Sequence, residues 1–147
     1  MRELGIELPD APIPVGAYRT AIISGNSVYV SGQLPLLEGK LTVKGKLGDG
    51  LSVEQGAEAA RIAAINSISV LKELLLDLDR VKRVLKITGY VASAEGFISQ
   101  AEVINGASEL YFDVFGERGR HARAAVGVNE LPLGAPVEIE LIAEIGY

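Results

Sequence analysis

The chain has no cysteine and a single histidine. The absence of cysteine excludes disulfides and thiolate metal sites, and one histidine is too few for the usual zinc clusters. We therefore expect no transition-metal site. The chain also has no apolar run long enough to span a bilayer, and its polar first residues lack the apolar core of a signal peptide. These absences predict a cytoplasmic protein with no membrane partner.

Positive charge is also scarce, with 14 Lys and Arg against 19 Asp and Glu and a formal charge of −5. Binding to a nucleic-acid backbone needs clustered Lys and Arg, so we expect nucleic acid to be a partner only if a local patch provides them. Apolar residues make up 48% and charged residues 22%, which argues against disorder. The length of 147 residues favours one domain, taken as residues 1–147.

β-Branched and aromatic residues predict strands at 17–23 and 27–31, with Ser24-Gly25-Asn26 as a hairpin turn. Ser52 begins a capping-box pattern, and apolar residues then recur at helical spacing. The sequence predicts a helix from about 53 to 76 there. The Gly-rich stretch between the second strand and this helix is predicted to be a loop.

A third strand is predicted over 84–92, where Gly89 indicates a bulge or the close approach of another backbone. A second helix runs through 108–115 and stops at Gly116, and Asn105 could cap it or lie within it. Two further strands are predicted at the end of the chain, at 123–128 and 137–145. The order ββαβαββ indicates an α+β domain with two helices on one face of a mixed or antiparallel sheet.

The last two strands are predicted to be adjacent and antiparallel, with one face under the helices and one open. Alternation places Ala124, Val126 and Val128 on the helix face of one strand, and Val137, Ile139 and Leu141 on that of the other. The open face would then carry Arg123, Ala125, Gly127, Glu138 and Glu140. A hairpin register separates Arg123 from Glu138 by ~13 Å. We therefore expect a homo-oligomer in which this pair meets across a subunit boundary.

Four short motifs occur in a fixed order along the chain: Val15-Gly-Ala-Tyr18-Arg, Ser31-Gly-Gln-Leu-Pro35, Ala-Arg123 and Leu-Pro…Val-Glu138-Ile-Glu. Together they resemble the Rid family (reactive intermediate deaminases), also called the YjgF or L-PSP family. The segment from Phe115 to Arg123 resembles a less characterised subgroup. The resemblance implies a chorismate-mutase-like fold and a homotrimer with clefts between subunits.

The resemblance also implies an activity, the cofactor-free hydrolysis of reactive enamines and imines such as 2-aminoacrylate to 2-oxo acids and ammonia. Arg123 would hold the substrate carboxylate through two parallel hydrogen bonds, and Glu138 would position water and transfer its proton. The remaining contacts implied by the family are an aromatic wall, a hydroxyl and a backbone N–H, from Tyr18, Ser31 and Gly32 respectively.

Two positions depart from the family pattern, because Ser108 stands where many deaminating members have asparagine and Ala125 where they often have cysteine. These departures leave open a non-catalytic binder of small carboxylates such as 2-oxo acids. A third interpretation is an endoribonuclease or translation inhibitor. The acidic charge and the single histidine argue against it. Arg123 could instead form an interface ion pair, and Glu138 could be an ordinary strand residue. His121 could transfer a proton or simply lie in a loop or interface.

Overall fold

The structure, a computed structural model, describes residues 4–13 and 16–146. A five-stranded sheet with strand order β1-β2-β5-β3-β4 forms its centre, and helices α1 and α2 cover one face. The bounds are β1 Ala21–Ser24, β2 Ser27–Gln33, α1 Val53–Leu75, β3 Val81–Ala92, α2 Gln100–Phe115, β4 Ala122–Val128 and β5 Val137–Ile145. Val15, which begins one of the motifs, and residues 1–3, 14 and 147 of the predicted domain lie outside the described residues.

The predicted hairpin and first helix are confirmed. β1 and β2 pair around a two-residue turn, in which Gly25 has a φ of 61° that suits glycine. β1 begins at Ala21 rather than at residue 17, so Tyr18 lies before it. At the start of α1, Ser52 and Gln55 exchange the two hydrogen bonds of a capping box.

The second helix is longer than predicted, since α2 begins at Gln100 and Asn105 lies inside it. α2 packs on α1, and both helices contribute buried side chains to one core with the sheet, among them Ala60, Ala64, Ile68, Leu71, Ile104 and Tyr111. The predicted loop between β2 and α1 contains two short strand pairs, Leu36–Leu37 with Lys40–Leu41 and Lys46–Leu47 with Gly50–Leu51.

The prediction that the last two strands are adjacent is wrong. β4 pairs in parallel with β3, and β5 pairs antiparallel with the other side of β3. A connection that contains a helix returns the chain so that the next strand runs parallel, which is why β3, α2 and β4 form a crossover unit. The loop at 129–136 then carries the chain past β3 to its far side. The sheet is therefore mixed.

The face assigned to β4 was also wrong. Arg123 lies opposite Ile87, which is fully buried under the helices, and the position of Gly127 borders the side chain of Gln100 on α2. Arg123, Ala125 and Gly127 therefore lie on the helix face. Val126 lies on the open face and is 43% exposed. β4 is an edge strand with small residues on both faces, so its alternation gave no firm orientation. In β5, by contrast, Val137, Ile139 and Leu141 are buried as predicted.

Gly89 marks neither a bulge nor the close approach of another backbone. It accommodates the side chain of Ile104 on α2. The pairing of β3 with β4 is regular from Lys86 to Ala92, with Gly89 opposite Ala125. A Cβ atom at Gly89 would lie 2.6 Å from Cγ1 of Ile104, so the missing side chain lets α2 sit close to the sheet.

Candidate active site

Arg123 lies on the edge strand β4, where its guanidinium reaches α2. Its Nη1 donates to Oδ1 of Asn105 at 2.8 Å and to Oγ of Ser108 at 3.2 Å. The two acceptors are three residues apart on the helix and so share one side of it. Within residues 4–13 and 16–146, Arg123 forms no ion pair with a carboxylate. The guanidinium is thus oriented by neutral groups, and no carboxylate in this part of the chain balances its positive charge.

His121 is fixed by hydrogen bonds on both ring nitrogens. Nδ1 lies 2.6 Å from the carbonyl oxygen of Gly119, and Nε2 lies 2.9 Å from Oγ of Ser108. Burial lowers the pKa of His121, and the charge of Arg123 adds to this effect, against the hydrogen bond to Gly119. Tyr111 packs edge-on against the imidazole, with ring centroids 5.7 Å apart. The histidine that the sequence left undecided therefore contacts Ser108, Gly119 and Tyr111.

A groove of about 460 Å³ opens beside these residues. It is lined by Ser108, Glu109, Phe112, Asp113, Arg120, His121 and Arg123. The Arg120 guanidinium lies 4.7 Å from the centroid of the Phe112 ring and pairs with Glu117. Of the two arginines on the groove, Arg123 is therefore the one whose charge is not already paired.

Glu138 belongs to a second group of residues, on the open face of the sheet. The strand β2 contains an irregularity between Val30 and Gln33, where the pairing with β5 shifts by one residue. Gly32 lies in this bulge, and a Cβ atom there would fall on the Glu138 carboxylate, 2.8 Å from Cδ. A bulge is a common way to redirect a strand beside a functional site. The missing side chain of Gly32 therefore makes room for the Glu138 carboxylate. The contact of the Gly32 N–H with a ligand stays a prediction.

Burial raises the pKa of Glu138, and the neighbouring charge of Glu140 raises it further. Glu140 accepts a hydrogen bond of 2.7 Å from the hydroxyl of Tyr90, and this bond is the main reason that the pKa of Tyr90 rises to about 12. Two adjacent carboxylates on a half-buried surface thus differ in their surroundings. Glu140 is held by a hydroxyl, whereas Glu138 is the group whose proton affinity is increased.

Tyr18 and Ser31 lie at the same open face. Both line a shallow groove of about 600 Å³ that also includes Tyr29, Lys86 and Glu140. Tyr18 is 52% exposed, so its ring is available as a wall. The hydroxyl of Ser31 donates to the carbonyl oxygen of Arg19 at 2.7 Å, which ties the segment after Tyr18 to the bulge. Ser31 thus positions this segment, and its oxygen keeps acceptor capacity for a ligand.

The predicted site residues therefore form two half-sites on opposite faces of one chain. Arg123 and Ser108 lie at the helix face, whereas Tyr18, Ser31, Gly32 and Glu138 lie at the open face. Ala125 is on the side of Arg123, partly buried against the core, and offers no polar atom. Because the sheet lies between the half-sites, Arg123 and Glu138 of one chain do not form a common cleft.

The sequence reading missed Asn105 and Tyr90 as partners in these half-sites. Asn105 could have been found from its spacing to Ser108, which puts both on one side of a helix. Tyr90 could not, because its contact with Glu140 depends on β3 and β5 being neighbours. In residues 4–13 and 16–146, no group of three or more His, Asp or Glu side chains could hold a metal ion. No helix in the described part of the chain is long and apolar enough to cross a membrane.

Comparison with known proteins agrees with this fold. Residues 1–145 match the family model described as "YjgF/chorismate_mutase-like, putative endoribonuclease". Protein TCP17 of Trypanosoma cruzi is 46% identical over 146 residues, covering 99% of this chain and 91% of its own. A goat (Capra hircus) protein named 2-iminobutanoate/2-iminopropanoate deaminase is 33% identical, covering 96% of this chain and 89% of its own.

Among solved structures, Atu1372 of Agrobacterium tumefaciens superimposes with a TM-score of 0.93 at 47% identity, covering 99% of this chain and 89% of that one. The class defined by fold and site is an α+β protein with two helices on one face of a mixed sheet and a chorismate-mutase-like fold. The chain belongs to the YjgF/Rid family, whose members include proteins named 2-iminobutanoate/2-iminopropanoate deaminase.

Proposed function

We propose that the protein hydrolyses reactive imines and enamines derived from amino acids, releasing 2-oxo acids and ammonia. The substrate class is the 2-imino acids formed from 2-aminoacrylate and related enamines. Family membership and the deaminase-named relatives at 33% identity support this class of reaction. The cytoplasmic location and the independence from cofactors remain predictions from the sequence.

The observation that carries the proposal is the state of Arg123. Its guanidinium is oriented by Asn105 and Ser108, lines an open groove, and has no carboxylate partner within the described residues. Both hydrogen bonds leave from Nη1, so the remaining N–H groups are available to a ligand. A planar guanidinium binds a carboxylate through two parallel hydrogen bonds, which fixes the orientation of a 2-imino acid.

Glu138 is the proposed proton-transfer group. Its carboxylate would position water against the imine carbon, accept a proton as the C–O bond forms, and return a proton to the nitrogen. The carbinolamine then collapses to the 2-oxo acid and ammonia. A carboxylate with a raised pKa suits this exchange, because it accepts a proton more readily than an ordinary glutamate does.

Since the two half-sites lie on opposite faces of one chain, we propose that subunits of a homotrimer bring them together. The open face that carries Glu138 also exposes apolar side chains, including Ile22, Tyr29 and Val126. Another subunit that buries these side chains would bring its own Arg123 groove to Glu138, Gly32 and Tyr18. Such a cleft would exclude water and strengthen both the carboxylate contact and the proton transfer.

A non-catalytic binder of 2-oxo acids is the second candidate. It is favoured by Ala125, which presents no polar atom beside Arg123, and by the engagement of Ser108 with His121 and Arg123. Such a protein would use the same guanidinium without turnover.

The test is 2-oxo acid formation from imines generated in situ by an amino-acid oxidase, with several amino acids as the source. The wild-type protein should accelerate the reaction, and Arg123→Ala should abolish the acceleration. Arg123→Lys should retain a small part of it, since an ammonium cannot reproduce the two parallel hydrogen bonds. Arg61→Ala removes a partly exposed arginine of α1 that lines neither groove, and it serves as the control. Saturable binding of 2-oxo acids without any acceleration would favour the second candidate.

A further inference from the structure

The contact between Ser108 and His121 has the geometry of a nucleophile and its base. The two side chains come from different elements, Ser108 from α2 and His121 from the residue before β4, and meet at 2.9 Å between Oγ and Nε2. A nucleophile and a base within hydrogen-bond distance, with the base oriented by a third group, is the arrangement that activates a serine. The carbonyl oxygen of Gly119, 2.6 Å from Nδ1, is that third group.

The direction of the hydrogen bonds follows from the chemistry of the partners. A carbonyl oxygen only accepts, so Nδ1 of His121 carries the proton and donates to Gly119. In the neutral imidazole Nε2 is then an acceptor, and the Ser108 hydroxyl donates to it. Because burial and the nearby Arg123 lower the pKa of His121, the ring is neutral at pH 7 and able to accept the serine proton.

Arg123 places a positive charge beside the serine oxygen. Its Nη1 donates to Oγ of Ser108 at 3.2 Å and so stabilises the negative charge that grows on this oxygen as the proton leaves. Tyr111, edge-on to the imidazole, limits the rotation of the base. Ser108, His121 and Arg123 all line the same open groove, so a substrate of modest size can reach Oγ.

We propose that Ser108 and His121 form a nucleophilic dyad that gives the groove a second activity, acyl transfer from small esters that carry a carboxylate. This activity is separate from imine hydrolysis and needs neither Glu138 nor a second subunit. The free N–H groups of Arg123 would bind the carboxylate, which sets a preference for anionic over neutral acyl groups.

The proposed reaction proceeds through an acyl intermediate on Ser108. Ser108 Oγ attacks the ester carbonyl carbon while its proton passes to Nε2 of His121. The tetrahedral adduct collapses, and the alcohol leaves with the proton from Nε2. Water then attacks the acyl-serine, giving its proton to Nε2, and collapse returns a proton to Oγ. The sum is ester plus water giving acid plus alcohol, with no other reactant.

The experiment uses 4-nitrophenyl hydrogen succinate, an anionic ester, and 4-nitrophenyl acetate, a neutral one. We expect a burst of 4-nitrophenolate, an intact mass increased by one acyl group, and a peptide map that places this group on Ser108. Acylation should be faster with the succinate ester. His121→Gln should slow acylation by about 100-fold, the usual contribution of a general base. Ser108→Ala should lose the adduct, and Ser24→Ala, at an exposed turn, should retain it.

Acylation of other residues only, or an unchanged burst in Ser108→Ala, would overturn the proposal. Folding of the variants is checked by circular dichroism and by their melting temperatures. The outcome is independent of the deaminase assay, because an acyl adduct on Ser108 can form in a protein that hydrolyses no imine. Conversely, a deaminase that leaves Ser108 unlabelled would retain its proposed function and lose only the dyad.

Discussion

At the scale of single residues, the partly buried carboxylate of Glu138 lowers the stability of the fold when it is ionised, and the same carboxylate serves the proposed proton transfer. Its pKa is raised in the folded state by burial and by Glu140, so the folded protein binds this proton more tightly than the unfolded chain. Ionisation of Glu138 therefore reduces stability as the pH rises above the unfolded pKa of about 4.3. The penalty is complete above the raised folded pKa.

Glu138→Gln should consequently raise the melting temperature at pH 7 and lower imine hydrolysis by about 100-fold or more, the range typical of a lost acid–base group. The gain in melting temperature should disappear toward pH 4, where the wild-type carboxyl is protonated in both states. Calorimetry across pH 4–8, with the deaminase assay at pH 7, provides the measurement. A variant that is fully active at pH 7 would show that Glu138 transfers no proton.

Substitution of Gly32 provides a second prediction for activity at the residue scale. In Gly32→Ala the new methyl would meet the end of the Glu138 side chain, which can rotate away, so the fold should persist and the carboxylate should move. Activity should then fall about as far as in Glu138→Gln. The double variant should be no worse than either single one, because both changes act through one carboxylate. Additive losses, measured as kcat/KM, would contradict this coupling.

The residues of the half-sites were chosen from a resemblance, and their environments could only come from the fold. Tyr18 lies at one open groove, and Arg123 lies at another. The spacing of Asn105 and Ser108 puts both on one side of a helix. It did not indicate that they would orient Arg123, because this contact joins α2 to an edge strand whose face was assigned wrongly. The alternation of residues on β4 did not indicate which face is buried, because small residues occur on both faces of this strand.

At the scale of elements, the α1–α2 packing depends on Gly106. A Cβ atom there would lie 2.7 Å from the backbone carbonyl carbon of Ala57, and a backbone cannot rotate away as a side chain can. Helix propensity alone predicts that Gly→Ala inside a helix stabilises by about 1 kcal/mol. We expect the opposite for Gly106→Ala, a loss of about 1–3 kcal/mol from overpacking.

Urea denaturation measures this effect, with Glu102→Ala at an exposed position of α2 as the control. Because α2 carries Asn105 and Ser108, a displaced helix should also weaken the orientation of Arg123 and reduce deamination. Stabilisation of Gly106→Ala would mean that the helices do not pack this closely.

Elements with strong local signals were predicted well. The capping box fixed the start of α1, and buried alternation fixed the face of β5. The neighbours of each strand were predicted less well, because adjacency of 123–128 and 137–145 was assumed from their order along the chain. The helix between β3 and β4 was the available signal, since a crossover that contains a helix joins parallel strands.

At the scale of the whole molecule, the apolar open face is expected to be a subunit interface. Val126→Asp places a charge on that face, which should not tolerate burial without a partner. We expect this variant to be monomeric by light scattering and to lose imine hydrolysis, because the cleft needs a second subunit. Ile98→Asp, at a more exposed site before α2, should remain trimeric and active. A trimeric, active Val126→Asp would place the interface elsewhere.

Each active cleft is proposed to combine Arg123 of one subunit with Glu138 of another. This pairing is tested by unfolding Arg123→Ala and Glu138→Gln together, refolding the equal mixture, and measuring imine hydrolysis. Each parent should be inactive alone. If clefts form between subunits, random assembly leaves about a quarter of them with both residues intact, and activity should return to about that fraction of the wild type. A mixture no more active than its parents would contradict the claim.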